Sequence, residues 1–309
     1  MIFFRGLQHA LIKVNSNAFR RFRPQSCDVT HFESCKVITF PPSRGIRRMA
    51  SPVDSAFLNI TGDRKVAYRK TNGSSSPTIV FAPGFMSNMR GRKATTLQKF
   101  CIDNDLSYVR FDYEGIGESP GDVKTLHLRN WVEDLRHVIE KLTSGPVLLV
   151  GSSLGGWMSI RVALQMPERI QGMVLIAPAL NFFIEKYHLI YNGVSDDERA
   201  ILDRGECLML NGPYGEIFIR KEYSDQSQEE HVDLSKPIPL KMPIRLIHGM
   251  QDPDVPYKRS LNLISQFESD DVDFILRKCG EHQMSEETDL ELILTTIKLL
   301  ISPISLSKL

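Results

Sequence analysis

Residues 148–157 read LLVGSSLGGW. A run of Leu and Val meets a Gly-x-Ser-x-Gly pattern centred on Ser153, and GGWMSIRVALQM then continues with helical apolar spacing. The order is strand, sharp turn, helix. A near-continuous Leu/Val strand is buried on both faces, and so tight a turn needs small neighbours, which Gly151, Gly155 and Gly156 supply. Glycine is common enough that the five-residue pattern arises by chance in about one chain in ten of this length, so its context must decide. The chain contains its own control. GESPG, residues 117–121, fits the same pattern around Ser119. It lies several residues past the run LSYVRFD, and the next residue is Pro120, which has no N–H to offer an oxyanion. Leu154, after Ser153, has one. Ser153 is therefore the expected nucleophile and Ser119 a structural serine.

Outward from Ser153 the pattern repeats. PTIVFAP, LSYVRFD, PVLLVGS, IQGMVLIAP, MPIRLIHG and VDFILRKCG read as strands. KATTLQKFCIDN, LRNWVEDLRHVIEKL, GGWMSIRVALQM, YKRSLNLISQF and TDLELILTTIKLLI read as helices. Buried strands alternating with helices predict an α/β protein with a mostly parallel central sheet covered on both faces. FLNI and RKVAYRK precede them as an antiparallel edge, and Asn72-Gly73 with the serines after it forms a turn. After the sixth strand the alternation stops. Residues 179–240 carry Phe182, Phe183, Tyr187 and Tyr191 among charges and turn residues, with no clear strand. An insertion that long in a compact sheet is expected to be a functional cap or lid.

The whole chain has 309 residues, 42% hydrophobic and 24% charged, with a formal net charge of +1. That balance gives no global attraction to nucleic acid. No run reaches the ~18 apolar residues a membrane span needs. Zinc-type spacings, a Walker loop and a dinucleotide-binding glycine pattern are all missing, so no metal or cofactor is expected. Cys27, Cys35, Cys101, Cys207 and Cys279 are an odd, scattered set, which points to a reducing compartment.

Both ends read as addresses. The opening MIFFRGLQHALIKVNSNAFRRFRPQSC has no acid before Asp28 and places Phe3, Phe4, Leu7 and Leu11 at helical spacing, as mitochondrial transit peptides do. Residues 1–53 hold nine of the 38 basic residues and two of the 37 acidic ones, so the remainder is acidic, with 35 acids against 29 bases. The expected organisation is a leader over 1–53, then one domain over 54–309 with the cap at 179–240. The last three residues are Ser-Lys-Leu, the tripeptide read by a peroxisomal import receptor. Mitochondrial delivery is expected, with a second, peroxisomal pool for chains that begin at Met49.

A serine hydroxyl needs a base, and the base needs an orienting acid. On this architecture the order along the chain is Ser, acid, His. MQDPDVP follows the strand IRLIHG, and EHQM follows FILRKCG. His282 is the expected base. Asp252, nearer its strand end, is the preferred acid, with Asp254 as the alternative. PGFMSNM follows PTIVFAP, and the N–H of Phe85 after Gly84 is the expected oxyanion donor beside that of Leu154. The cap aromatics Phe182, Phe183 and Tyr187 suit an apolar acyl chain. Arg220 and Lys221 could meet a carboxylate, though a solvated charge pair is the plainer reading.

With PGF, RFDYEGIGES, GSSLGG, HGMQDPDVP and the His282 loop in this order over roughly residues 56–301, the chain resembles the α/β-hydrolase-fold serine hydrolases. PGFMSNMRGRKA, VGSSLGGW, PIRLIHGMQD and VDFILRKCGEHQM resemble, within that family, the mitochondrial palmitoyl-protein thioesterases and acyl-glucuronide esterases. The resemblance implies hydrolysis of S-acylated proteins and of small acyl esters or glucuronides. A general carboxylesterase is the alternative reading. A non-catalytic binding module is the remote one, since such proteins tend to lose a member of the Ser-Asp-His set and none is missing here.

Overall fold

The computed structural model describes residues 55–125, 127–212 and 215–302. The leader and the terminal Ser-Lys-Leu lie outside them. In chain order the elements begin with strands β1 (Ala56–Asn59), β2 (Lys65–Thr71) and β3 (Ser75–Ala82), helix α1 (Arg92–Asp103), β4 (Leu106–Phe111) and α2 (Leu128–Leu142). Then come β5 (Val147–Ser152), α3 (Leu154–Gln165) and β6 (Ile170–Ile176). An insertion follows, made of α4 (Phe182–Gly193), α5 (Asp196–Asp203), β7 (Leu208–Gly212), β8 (Gly215–Ile219) and α6 (Lys221–Ser227). The chain resumes with β9 (Ile244–Gly249), α7 (Tyr257–Ile264), β10 (Val272–Arg277) and α8 (Glu287–Ile301).

Eight strands form one sheet in the order β1-β2-β4-β3-β5-β6-β9-β10. The β1–β2 and β2–β4 pairs are antiparallel and all the others parallel. Alternate side chains of each strand feed opposite cores. Val80, Ala82, Val147 and Leu149 join a cluster with α2 and α3, while Ile79, Phe81, Leu148 and Val150 pack against α1 and α8. This is the α/β-hydrolase fold that the run of strands and helices predicts. The insertion follows the sixth strand, as expected, but it contains a hairpin where the sequence shows no clear strand. Leu208 pairs with Ile219 across it, and both are buried against Tyr187 and Leu202. Ser75 and Ser76, read as turn residues, already belong to β3.

The chain order reverses direction across the sheet at β3, with β4 on one side and β5 on the other. Strand ends splay apart at such a switch point, and sites form there at the carboxyl ends of the strands. What closes this one up is Gly155. A Cβ built there would lie 2.0 Å from the Ala82 carbonyl oxygen and 2.5 Å from that of Pro83. The start of α3 therefore touches the end of β3 through bare backbone. Gly155→Ala must push them apart, and overpacking of this kind costs about 1–3 kcal/mol. A fall of several degrees in Tm is expected by thermal unfolding, against a small change for Thr95→Ala on the exposed face of α1; equal Tm values would contradict the contact.

Candidate active site

Ser153 sits between the last residue of β5 and the first of α3, at φ 54° and ψ −118°. A non-glycine residue in this region carries strain of about 1–3 kcal/mol. Backbone hydrogen bonds on both of its polar groups hold it there: its N–H donates to the Ile176 carbonyl (2.8 Å), and its carbonyl accepts from Gly156 (2.9 Å) and Ala179 (3.0 Å). The strained turn turns the hydroxyl away from the sheet and toward His282. His282 Nε2 lies 2.9 Å from Ser153 Oγ, and Nδ1 lies 2.7 Å from Asp252 Oδ2. A carboxylate can only accept, so Nδ1 carries the proton and Nε2 of the neutral ring is free to accept from the serine.

The loops that bring the acid and the histidine together are joined by backbone. Met250 N–H donates to Arg277 (2.8 Å), and Gln251 N–H to Gly280 (2.9 Å). A Cβ at Gly249 would lie 2.1 Å from the Gly280 carbonyl oxygen, so the ends of β9 and β10 cross where only glycine fits. Asp252, and not Asp254, is the carboxylate on His282. Its side chain is fully buried. Oδ1 accepts from the N–H groups of Asp254 (2.9 Å) and Val255 (2.8 Å), and Oδ2 from His282 and from His248 Nε2 (3.0 Å). Burial alone would raise its pKa, but the hydrogen bonds from His248, His282 and Val255, with the charge of His282, outweigh that and hold it well below the usual carboxylate range. The carboxylate therefore stays ionised as pH falls through the ordinary Asp range. It adds stability that is present above about pH 4 and is lost only as pH drops through its depressed pKa. Asp254 also comes within 4.8 Å of both partners, yet a metal there would have to displace one of the four donors that already fill the lone pairs of Asp252.

Ser153 and His282 open onto a cavity of about 220 Å³ lined also by Phe81, Phe85, Ser87, Asn88, Arg92 and Lys93. Leu154 N–H is the first of α3, and neither it nor Phe85 N–H is spent on a protein acceptor among the described residues. The ring of Phe85 is anchored, 5.2 Å from Phe183, 5.9 Å from Trp131 and 6.4 Å from Tyr223. The expected acyl-contacting aromatics are not brought to this cavity. Phe183 is 2% exposed in the main core, Tyr187 is buried in the insertion, and Phe182 packs beside Phe183. Each finds apolar neighbours inside the protein and is used in packing. Lys221 pairs with Asp225 (2.6 Å), and Arg220 lies 4.9 Å over the Tyr223 ring. Ser119 is structural, as expected: buried, it accepts from Ala67 N–H (2.8 Å) and donates to the Asp112 carbonyl (2.6 Å).

Two cations missed in the sequence reading line the cavity. Arg92 is exposed and makes none of the described ion pairs. Lys93 Nζ donates to the Gln283 carbonyl and to Ser285 Oγ (3.1 Å), tying α1 to the His282 loop. Burial pushes its pKa down to about 8, against the pull of Asp289. Their only sequence signal is the basic run RGRK at residues 90–93, just beyond the Phe85 turn.

The fold and this arrangement define a class, the serine hydrolases of the α/β-hydrolase fold. The family described as serine aminopeptidase, S33, matches residues 73–192. The mitochondrial palmitoyl-protein thioesterase ABHD10 of Mus musculus is 37% identical over 251 residues, or 81% of this chain and 83% of that protein. The solved structure of alpha/beta hydrolase domain-containing protein 10 from mouse superposes with a TM-score of 0.72 at 34% identity, covering 81% of this chain and 98% of that one. A putative hydrolase from Agrobacterium vitis S4 superposes with a TM-score of 0.74 at 28% identity, covering 82% and 100%. The chain belongs to the ABHD10 family of α/β hydrolases.

Labelling with a serine-reactive fluorophosphonate tests each role. Ser153→Ala is expected to take no label. Asp252→Asn should react about 10⁴-fold more slowly, because the wrong ring tautomer then faces the serine. Asp254→Asn should stay within a few-fold of wild type; the reverse order for the two acids would reassign the orienting group.

Proposed function

We propose that the chain hydrolyses acyl thioesters and esters through an acyl-serine, removing S-palmitoyl groups from protein cysteines and cleaving acyl glucuronides. The reading rests on one observation above the others: the hydrogen-bonded line from Asp252 through His282 to Ser153 ends at a cavity flanked by two unspent N–H groups. His282 Nε2 takes the Ser153 proton as Oγ attacks the acyl carbonyl carbon. Asp252 stabilises the resulting imidazolium. Phe85 and Leu154 N–H groups receive the oxyanion, each worth about 3 kcal/mol of barrier in comparable sites. The C–S or C–O bond breaks, and the leaving thiol or sugar takes the proton from His282. Water then repeats the attack and frees the acid.

The name of the mouse relative supports the thioester half. The glucuronide half draws on the polar side of the cavity, where Ser87, Asn88, Gln283 and Ser285 stand with Arg92 and Lys93. Hydroxyl and cationic side chains suit a leaving sugar that carries a carboxylate better than they suit an alkyl chain. At about 220 Å³ the cavity is also smaller than the ~300–1,000 Å³ of a closed ligand pocket. It seats the scissile group and what leaves, while a long acyl chain extends past it. Turnover of a palmitoyl-cysteine peptide, an acyl glucuronide and a short aryl ester should rank the aryl ester last. Arg92→Ala should raise KM for the glucuronide several-fold and leave the peptide nearly unchanged. An aryl ester turned over as fast as the other two would favour the general carboxylesterase reading.

Mitochondrial delivery belongs to the same proposal. The mouse relative is named as mitochondrial, and the acid-poor leader agrees. A chain tagged internally, leaving Ser-Lys-Leu free, should be imported into mitochondria, and one starting at Met49 should show whether a peroxisomal pool exists. Purely cytosolic signal from both would sink the addresses.

A further inference from the structure

A second histidine shares the acid with His282. His248, the penultimate residue of β9, is fully buried. Its Nε2 lies 3.0 Å from Asp252 Oδ2 and 2.9 Å from the Val255 carbonyl oxygen. Both are acceptors, so Nε2 must carry a proton. Its Nδ1 lies 2.8 Å from Ser260 Oγ on α7, and in the neutral ring it accepts the hydroxyl proton. Ser260 is itself 1% exposed. A relay thus runs from Ser260 through His248 to the same carboxylate oxygen that holds His282.

We propose that His248, set in its tautomer by Ser260, is a positioning residue for the hydrolysis: its Nε2–H fixes Asp252 Oδ2 on His282 and moderates how strongly that carboxylate holds the His282 proton. The inference rests on the proposed role of Asp252 and His282. A carboxylate oxygen that accepts two N–H donors shares its charge between them. Remove one, and its pull on the other donor grows, so less of His282 is present as the free base at a given pH on the acid side. The same loss frees the Asp252 side chain on one side, and the near-attack geometry loosens. The other charged groups near the pair are the Asp254 carboxylate, within 4.8 Å of Asp252 and His282, and Lys93 of α1, bound to the His282 loop. From α7 the facing group is the uncharged Ser260 hydroxyl. All of these charges persist when position 248 or 260 is changed, so a change in pH profile reports the relay.

The test is the pH profile of kcat/KM on a palmitoyl-cysteine peptide, normalised to sites titrated with fluorophosphonate. Wild type should show an acid limb of unit slope, because Asp252 stays ionised throughout it. In His248→Leu, kcat should fall about tenfold or more, as when an outer hydrogen-bonding partner is lost, and the acid limb should move up by about half to one pH unit, one hydrogen bond's worth. His248→Gln, which keeps a donor, should recover most of both. Ser260→Ala should shift the limb in the same direction by less, and it decides the matter if His248→Leu does not fold. Unchanged acid limbs in His248→Leu, or in Ser260→Ala where only that variant folds, overturn the inference while leaving the proposed function standing. A wild type that neither labels nor turns over would sink both.

Discussion

The backbone contact at Gly155 is the constraint on which the site depends. Helix α3 starts so close to the end of β3 that position 155 has no room for a methyl group. That contact, beside the pairing of Ala82 with Gly151 between β3 and β5, brings the turn carrying Phe85 against the turn carrying Ser153. It also makes the left-handed backbone at Ser153 unavoidable, because the chain must reverse within one residue to begin the helix. The strain is small beside the burial it is tied to. Leu148, Leu149, Val150, Leu154, Trp157 and Met158 are all at most 2% exposed on the two sides of the turn. At roughly 1.5–3 kcal/mol for each fully buried side chain of this size, the flanking elements can hold one residue off its preferred backbone many times over.

A second close approach, at Gly249 and Gly280, does for Asp252 and His282 what Gly155 does for Ser153 and the Phe85 turn. Here too the close approach is of backbone to backbone. Two interstrand hydrogen bonds, from Met250 and Gln251, then set the register of two irregular loops. Catalytic groups on loops are usually the mobile part of a site; these loops continue parallel pairing for two or three residues past the strands, so their geometry is inherited from the sheet. Lys93 adds the third connection, from α1 to the His282 loop. The parts of the site that come from four separate stretches of chain are thereby joined pairwise.

These connections explain what could be read from the sequence and what could not. Strands buried on both faces advertise themselves as Val/Ile/Leu runs, and the turns after them carry Gly and Pro, so β3, β5 and β9 were legible, as was the less buried edge strand β10 from its run VDFIL, and with them Ser153, Asp252 and His282 in order. The choice of Asp252 over Asp254 was legible for a physical reason, nearness to a rigid strand end. The hairpin Leu208–Gly212 with Gly215–Ile219 was not, because five-residue strands with adjoining apolar residues give too few alternations to separate from loop. The aromatics misled for a different reason. Composition says that Phe183 and Tyr187 will seek apolar surroundings, but not whether a ligand or the protein supplies them. Arg92 and Lys93 were hidden among 38 basic residues, since a cation is assigned to a cavity only when its neighbours from other loops are known.

The insertion shows how specificity can be separated from reactivity in such a fold. Helix α4 is anchored at its first turn, where Phe183 meets Phe85 edge to face, tilts against Tyr223 and lies 6.3 Å from Trp157. Asn181, just before it, exchanges two 3.0 Å hydrogen bonds with the backbone of Val232, closing the root of the insertion. Further along the same helix, Tyr187 belongs to a small core of its own with Leu202, Leu208 and Ile219. The inner turn therefore shares its packing with the Phe85 loop. Among the described residues the outer core forms a cluster of its own. Under the proposed function, substitutions in the outer core reshape the surface over which a long acyl chain would leave the cavity, while the buried rings of Trp131, Phe183 and Tyr223 hold the Phe85 loop.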